Sequence, residues 1–302
     1  MSMTNRRSDR PSRTPGRRVP QPKMSTSAMR TQVKDLVTKA ALWWPNIQVL
    51  QSLRMFAPNS AGAMSERAAL TIQAASQTFP LMIELLSRTG AKIEDPAPVS
   101  ASADTPDKRA AALELKRLFD QYGSDKANDE HNYHWLYGAI LGSKTATALL
   151  EIGLGTNNED VVSNMTSNGS PGASLRAFRD YLPDAHVYGA DVDRGILFQE
   201  ERISTFFVDQ TDSGSFAQLG ASVPDEFDLI IDDGLHAPNA NLASLIFGLN
   251  RLKVNGYLLI EDISRDAVPI WQLVSAALLP DDYESHVIES GVQFLFLVRR
   301  LR

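Results

Sequence analysis

The chain has 302 residues, 43% apolar and 22% charged, with a formal net charge of −6. That length suggests about two domains and is ample for a buried core. It contains no cysteine and five histidines, which excludes disulfides, thiolate-ligated zinc, iron–sulfur clusters and a cysteine nucleophile, and points any metal toward oxygen ligands.

The charge is unevenly spread. Residues 1–23 carry Arg6, Arg7, Arg10, Arg13, Arg17, Arg18 and Lys23 against Asp9 alone, so the rest of the chain sums to −12. Residues 1–27 form a Pro/Ser/Arg-rich tail with no apolar run to bury, which predicts disorder. A nucleic-acid arm is one reading. An unstructured leader, or a misassigned start with Met24 as the true beginning, is the preferred one. The tail lacks the apolar core of a secretory signal, and no stretch reaches the roughly 18 apolar residues of a membrane helix. The chain is expected to be cytoplasmic.

Residues 28–92 read as a helical segment. Val33, Leu36, Val37, Ala40 and Ala41 recur at helical intervals, and Pro45 bends or ends that helix. A second helix follows from Ser65, an expected N-cap, to a stop at Gly90. The segment suits a small helical domain, a lid or a homo-oligomer contact. The Pro/Ala/Ser/Asp-rich residues 93–107 read as a linker.

From 108 to 302 short apolar runs alternate with helical stretches. The runs are TALLEI (147–152), HVYGAD (186–191), STFFVD (204–209), FDLIID (227–232) and GYLLIED (256–262). This alternation predicts α/β architecture with a parallel sheet covered on both faces. YESHVIES and VQFLFLVRR flank Gly291 and read as a closing antiparallel hairpin.

Polar residues gather at the ends of these runs. Glu151, Gly153 and Gly155 end the first, where glycines let the backbone turn and approach a ligand. Asn158 stands where a dinucleotide fingerprint needs its third glycine, which favours a nucleoside ligand without a clamped pyrophosphate. Asp191 ends the second run, the position of a ribose-binding acid. Asp209 and Gln210 end the third, where an adenine is read. Asp232, Asp233 and His236 follow the fourth, and Glu261 and Asp262 end the fifth. Four carboxylates in one cleft repel unless protons or a cation neutralise them, and Mg²⁺ takes such ligands. His236 is placed to act as a general base. The plainer alternative makes Asp232 and Asp262 helix caps and His236 a surface residue. The stretch YGSDKANDEHNYHWLYG (122–138) packs aromatics, histidines, Asp125 and Lys126 together, as a ligand wall or as a helix packed on the sheet edge.

With these motifs in view, residues 108–302 resemble class I S-adenosylmethionine-dependent methyltransferases. Within that class they resemble the Mg²⁺-dependent sugar O-methyltransferases of the macrocin and mycinamicin type. YGSDK, HNYHWLY, EIGLG, GASLRAFRDYLPDAHVYGAD, FDLIIDDGLH and GYLLIED carry the likeness. The resemblance implies a Rossmann-like seven-stranded methyltransferase sheet, parallel with a closing antiparallel hairpin strand. It implies S-adenosylmethionine under Gly153 and Gly155 with its ribose on Asp191, Mg²⁺ on Asp233, Glu261 and Asp262, and His236 as base. The implied acceptor is a hydroxyl of a sugar, glycosylated small molecule or polysaccharide. Competing readings are a non-sugar diol O-methyltransferase, a non-catalytic S-adenosylmethionine-binding module, a nicotinamide oxidoreductase, and a nucleic-acid methyltransferase, which the acidic body opposes. Leu235 departs from the small serine common there, and residues 28–92 match nothing in the family's auxiliary region.

Overall fold

The computed structural model describes residues 44–302, apart from 89–92, 94, 167, 168 and 279. The basic tail, the helical spacing from Val33 to Ala41 and the stop at Gly90 fall outside the described residues. Residues 44–52 are helical and include Pro45. The helix α1 spans Met64–Arg88 with Pro80 inside it. Ser65 therefore lies within its first turn instead of capping it. The chain divides into two compact units between Gln77 and Thr78. No helix among the described residues is long and apolar enough to cross a membrane.

The second unit holds one sheet of nine strands among the described residues. These are β1 (Ala97–Pro98), β2 (Ala148–Ile152), β3 (His186–Asp191), β4 (Gln199–Glu200), β5 (Ile203–Phe207), β6 (Phe227–Asp232), β7 (Leu252–Ile263), β8 (Tyr283–Ser290) and β9 (Gln293–Arg300). Their order is β1-β8-β9-β7-β6-β2-β3-β5-β4. The expected seven strands form the body, and the two-residue β1 and β4 extend its edges. Strands β5, β3, β2, β6 and β7 run parallel to one another, and the edge strand β4 is antiparallel to β5. The hairpin strand β9 is antiparallel to both β7 and β8.

Helices α2 (Pro106–Tyr122), α3 (His134–Leu141) and α4 (Ala173–Tyr181) cover one face, and α5 (Ser213–Ser222), α6 (Pro238–Leu249) and α7 (Val268–Ala277) the other. Alternate residues of each strand choose between them. Leu149, Leu229, Ile231 and Leu259 join Leu115, Phe119, Tyr137 and Phe178. Leu150, Ile230, Leu258 and Ile260 join Phe216, Leu245 and Trp271. Each fully buried side chain of this kind stabilises by about 1.5–3 kcal/mol. This double coverage is why the strands read as unbroken apolar runs.

The stretch expected to be a linker carries structure. β1 pairs in parallel with β8, and Val99 beyond it is buried. Thr105 then caps α2, its side chain accepting from the Lys108 N–H, with Pro106 in the first turn where a missing N–H costs nothing. Strand order reverses between β2 and β6. A crevice opens outside the carboxyl ends of the strands at such a switch point.

Candidate active site

A cavity of about 940 Å³ occupies that crevice, and Gly153, Gly155, Asp191, Asp209, Gln210, Asp233, His236 and Asp262 all line it. The loops after β2 and β6 are built against each other. Gly153 N–H donates to Ala190 O, and Asp233 N–H donates to Ile152 O, both at 2.8 Å. Gly153 has φ +92°, and a Cβ there would drive into the Asp233 carbonyl. Only glycine allows this approach.

Asp191 is buried at the cavity wall. Its Oδ2 accepts from the Leu154 N–H at 2.7 Å and its Oδ1 from the Asp193 N–H at 2.8 Å. Burial pushes its pKa up, and these backbone donors pull the other way. Asp209 accepts from the Thr211 N–H and hydroxyl. Gln210 is more constrained than its position suggests. Its Nε2 donates to Asp232 Oδ1 at 2.7 Å and Ser244 Oγ at 2.8 Å, and its Oε1 accepts from the Leu235 N–H at 2.8 Å. Both amide protons are committed, so Gln210 braces the turn after β6 with no N–H left for an adenine.

Three residues expected at the ligand lie behind it, and strand alternation explains each. Asp232 shares the face of Ile230 and points to α6, where Oδ2 accepts from Asn241 Nδ2 at 3.0 Å. It is fully buried, and burial pushes its pKa up. Glu151 shares the face of Leu149. Its Oε2 accepts from Ser174 Oγ at 2.7 Å, and its Oε1 lies 3.1 Å from Lys126 Nζ. Glu261 shares the face of Leu259, where Lys126 and Tyr137 each donate to one of its two oxygens. None of the three lines the cavity.

The open set is Asp233, His236 and Asp262, one ligand atom of each lying within 4.8 Å of the others. Their side chains are 24%, 29% and 20% exposed, enough for a ligand to reach them. His236 Nε2 stands 4.0 Å from Asp233 Oδ1 and 3.8 Å from Asp262 Oδ2. Both His236 (φ +55°) and Asp262 (φ +54°) are left-handed, a conformation costing a non-glycine residue on the order of 1–3 kcal/mol. Asp262 also sits where β7 shifts register against β9 between Ile260 and Ile263. A bulge interrupts alternation and re-aims a side chain, which turns Asp262 toward the cavity.

The stretch 122–138 supplies more than a wall. Lys126 is 2% exposed, and its ammonium donates to Asp233 Oδ2 at 2.6 Å and to Glu261. Burial alone would lower its pKa. The charges of Asp233, Glu261 and Glu151 outweigh that and hold it well above the ordinary lysine value. Burial and the neighbouring acids push Glu261 upward, with Lys126 pulling it back. Tyr133 donates to Asp262 Oδ1, and its pKa is raised by burial and then by the acids. His131 Nε2 lies 3.6 Å from the same Asp262 oxygen. The density of His, Tyr and Lys in this short stretch was the available signal. Their partners Asp233, Glu261 and Asp262 lie more than a hundred residues downstream, beyond the reach of local pattern.

No family model matches the chain. It is 27% identical over 186 residues to a tetracenomycin rhamnosyl 2'-O-methyltransferase of Streptomyces olivaceus, a match spanning 59% of this chain and 46% of that protein. It is 32% identical over 92 residues to the demethylmacrocin O-methyltransferase of Streptomyces fradiae, spanning 30% and 23%. The matched region is thus less than half the length of these relatives. Among solved structures, the fold is similar to that of the MycE methyltransferase of mycinamycin biosynthesis, crystallised with Mg and SAH. The TM-score is 0.51 at 21% identity, over 63% of this chain and 55% of that one. The sheet of the second unit is a methyltransferase fold.

Proposed function

We propose that the protein is a cytoplasmic, S-adenosylmethionine-dependent and Mg²⁺-dependent O-methyltransferase acting on a hydroxyl of a sugar or glycosylated compound. The observation that carries this is one cavity lined by the Gly153–Gly155 loop and Asp191 together with Asp233, His236 and Asp262. The relatives named above are sugar O-methyltransferases, and the resemblance in sequence runs through the same motifs. An acid-lined cavity also opposes the phosphates of a nucleic acid.

The donor set fits a hard divalent cation. Mg²⁺ is commonly held by one or two carboxylates with its remaining positions left to water and substrate. Asp233 Oδ1 and Asp262 Oδ2 are the oxygens free for it. Glu261 stands behind them with both oxygens engaged. Bound there, the cation supplies positive charge that lowers the pKa of an acceptor hydroxyl and fixes its position. The sulfonium cofactor supplies an electrophilic methyl group. Asp191 accepts from ribose hydroxyls, and the bare backbone of Gly153 and Gly155 leaves room for the rest of the nucleoside. His236 takes the acceptor proton at Nε2, the nitrogen that faces the carboxylates. The cavity would hold the acceptor oxygen beside the methyl donor, and such positioning itself lowers the barrier.

Mass spectrometry of a rhamnoside panel incubated with enzyme and S-adenosylmethionine tests the reading. A gain of one methyl group, lost in EDTA and regained with Mg²⁺, is expected. A catechol in the same panel tests the non-sugar diol. Failure of the protein to bind S-adenosylhomocysteine in calorimetry would sink the proposal.

A further inference from the structure

We propose that the acid cluster is a two-cation site in which one cation belongs to the protein. The Lys126 ammonium permanently fills the inner half, and only the outer half is open to a divalent ion. The inner half is buried. Lys126 Nζ contacts Glu151 at 3.1 Å, Asp233 Oδ2 at 2.6 Å, and Glu261. Those acids come from the ends of β2, β6 and β7, so one ammonium ties three neighbouring strand ends together. The outer half is Asp233 Oδ1 and Asp262 Oδ2, open to the cavity, with His236 Nε2 beside them at 4.0 and 3.8 Å. Asp233 belongs to both halves, one oxygen facing each.

Two consequences follow from charge alone. Without Lys126 the buried carboxylates would lose the one cation that meets them among the described residues, and repel. The ammonium therefore keeps the strand ends gathered when no divalent ion is bound. A fixed positive charge sharing Asp233 with the outer half also repels a second cation, so it holds the affinity for a divalent ion down. Lys126 is thus a positioning residue that makes the site preformed and its ion exchangeable. The second consequence rests on the Mg²⁺ reading above, while the first does not.

The variant Lys126→Met in the full chain separates this from a plain structural role. Mg²⁺ titration by calorimetry should show binding roughly tenfold or more tighter than in the unaltered protein. Thermal unfolding in EDTA should occur at lower temperature, and saturating Mg²⁺ should restore most of the loss. A lysine that merely packs would weaken Mg²⁺ binding when removed. Unchanged or weaker Mg²⁺ binding overturns the inference, as does a stability deficit that Mg²⁺ leaves in place. Should K126M fail to fold in EDTA, the double variant K126M/E151Q removes one uncompensated buried charge and should fold there. A double variant that remains unfolded also overturns the inference. Absence of Mg²⁺ binding by both the unaltered protein and K126M would instead overturn the divalent-ion reading.

Discussion

His236 is held where its imidazole is useful at a local cost. Its left-handed backbone is unfavourable, and its Nδ1 is buried without a hydrogen-bond partner. Strain and an unsatisfied atom at one cavity residue accord with the base role proposed for it. His236→Ala should lower kcat by about 10²–10⁴-fold while leaving S-adenosylhomocysteine affinity within a few-fold, as read by steady-state assay and calorimetry. Full activity in that variant would remove His236 from the chemistry. His134, on the first turn of α3, behaves differently. Burial and then Lys116 lower its pKa to about 4. Its folded pKa therefore lies below the ordinary 6.5 or so of the unfolded chain. Above that value His134 is neutral in both states and contributes no pH dependence. As pH falls from about 6.5 toward 4 the unfolded chain takes up the proton first, so stability is lost. His134→Gln should lose less stability between pH 7.5 and 5 in urea unfolding than the unaltered protein does.

At the scale of elements, strand alternation sorts the acids. Glu151 and Glu261 fall on the face covered by α2–α4 and meet Lys126, and Asp232 falls on the other face and meets α6. This part was legible, because a period of two can be counted along ALLEI, FDLIID and YLLIED. The exception is Asp262. Counting from Ile260 would send it to the α5–α7 face, and the register shift in β7 sends it to the cavity instead. A bulge depends on how β7 meets β9, so the pattern of β7 alone does not contain it. The Gly153 turn is the second element on which the site depends. Gly153→Ala should push the Asp233 carbonyl away and disturb both loops together. Loss of S-adenosylhomocysteine binding and of Mg²⁺ binding in the same variant, both by calorimetry, is the expected result. Retention of either would show that the two loops are not mechanically joined.

For the whole molecule, the order of the strands brings the motifs together. β2 and β6 are neighbours at the reversal of strand order, and β3 and β7 flank them. Four motifs spread over more than a hundred residues therefore end at one crevice. Because the proposed nucleoside and cation regions share a cavity without sharing residues, S-adenosylhomocysteine and Mg²⁺ should each raise the melting temperature alone, and raise it further together. A ligand present at a hundred times its Kd should add about 2.7 kcal/mol of stability. Thermal scans with each ligand and both provide the measurement. Two ligands that compete would contradict the layout.

Local pattern along the chain is enough for the alternation of strands and helices, the closing hairpin, and the order of the glycine loop, Asp191 and the acid–histidine group. These are local patterns, set by which residues can be buried on one face or turn without a side chain. Tertiary structure decided which acids are open and which are filled. Lys126 meets Asp233 across 107 positions and Glu261 across 135, and no spacing rule links residues so far apart. Their meeting follows from packing α2 and α3 on one face of the sheet, which delivers a buried ammonium to the acids at its strand ends. Composition counted an acidic excess and an absence of cysteine. Only the fold shows that part of that excess is neutralised by a lysine of the chain's own.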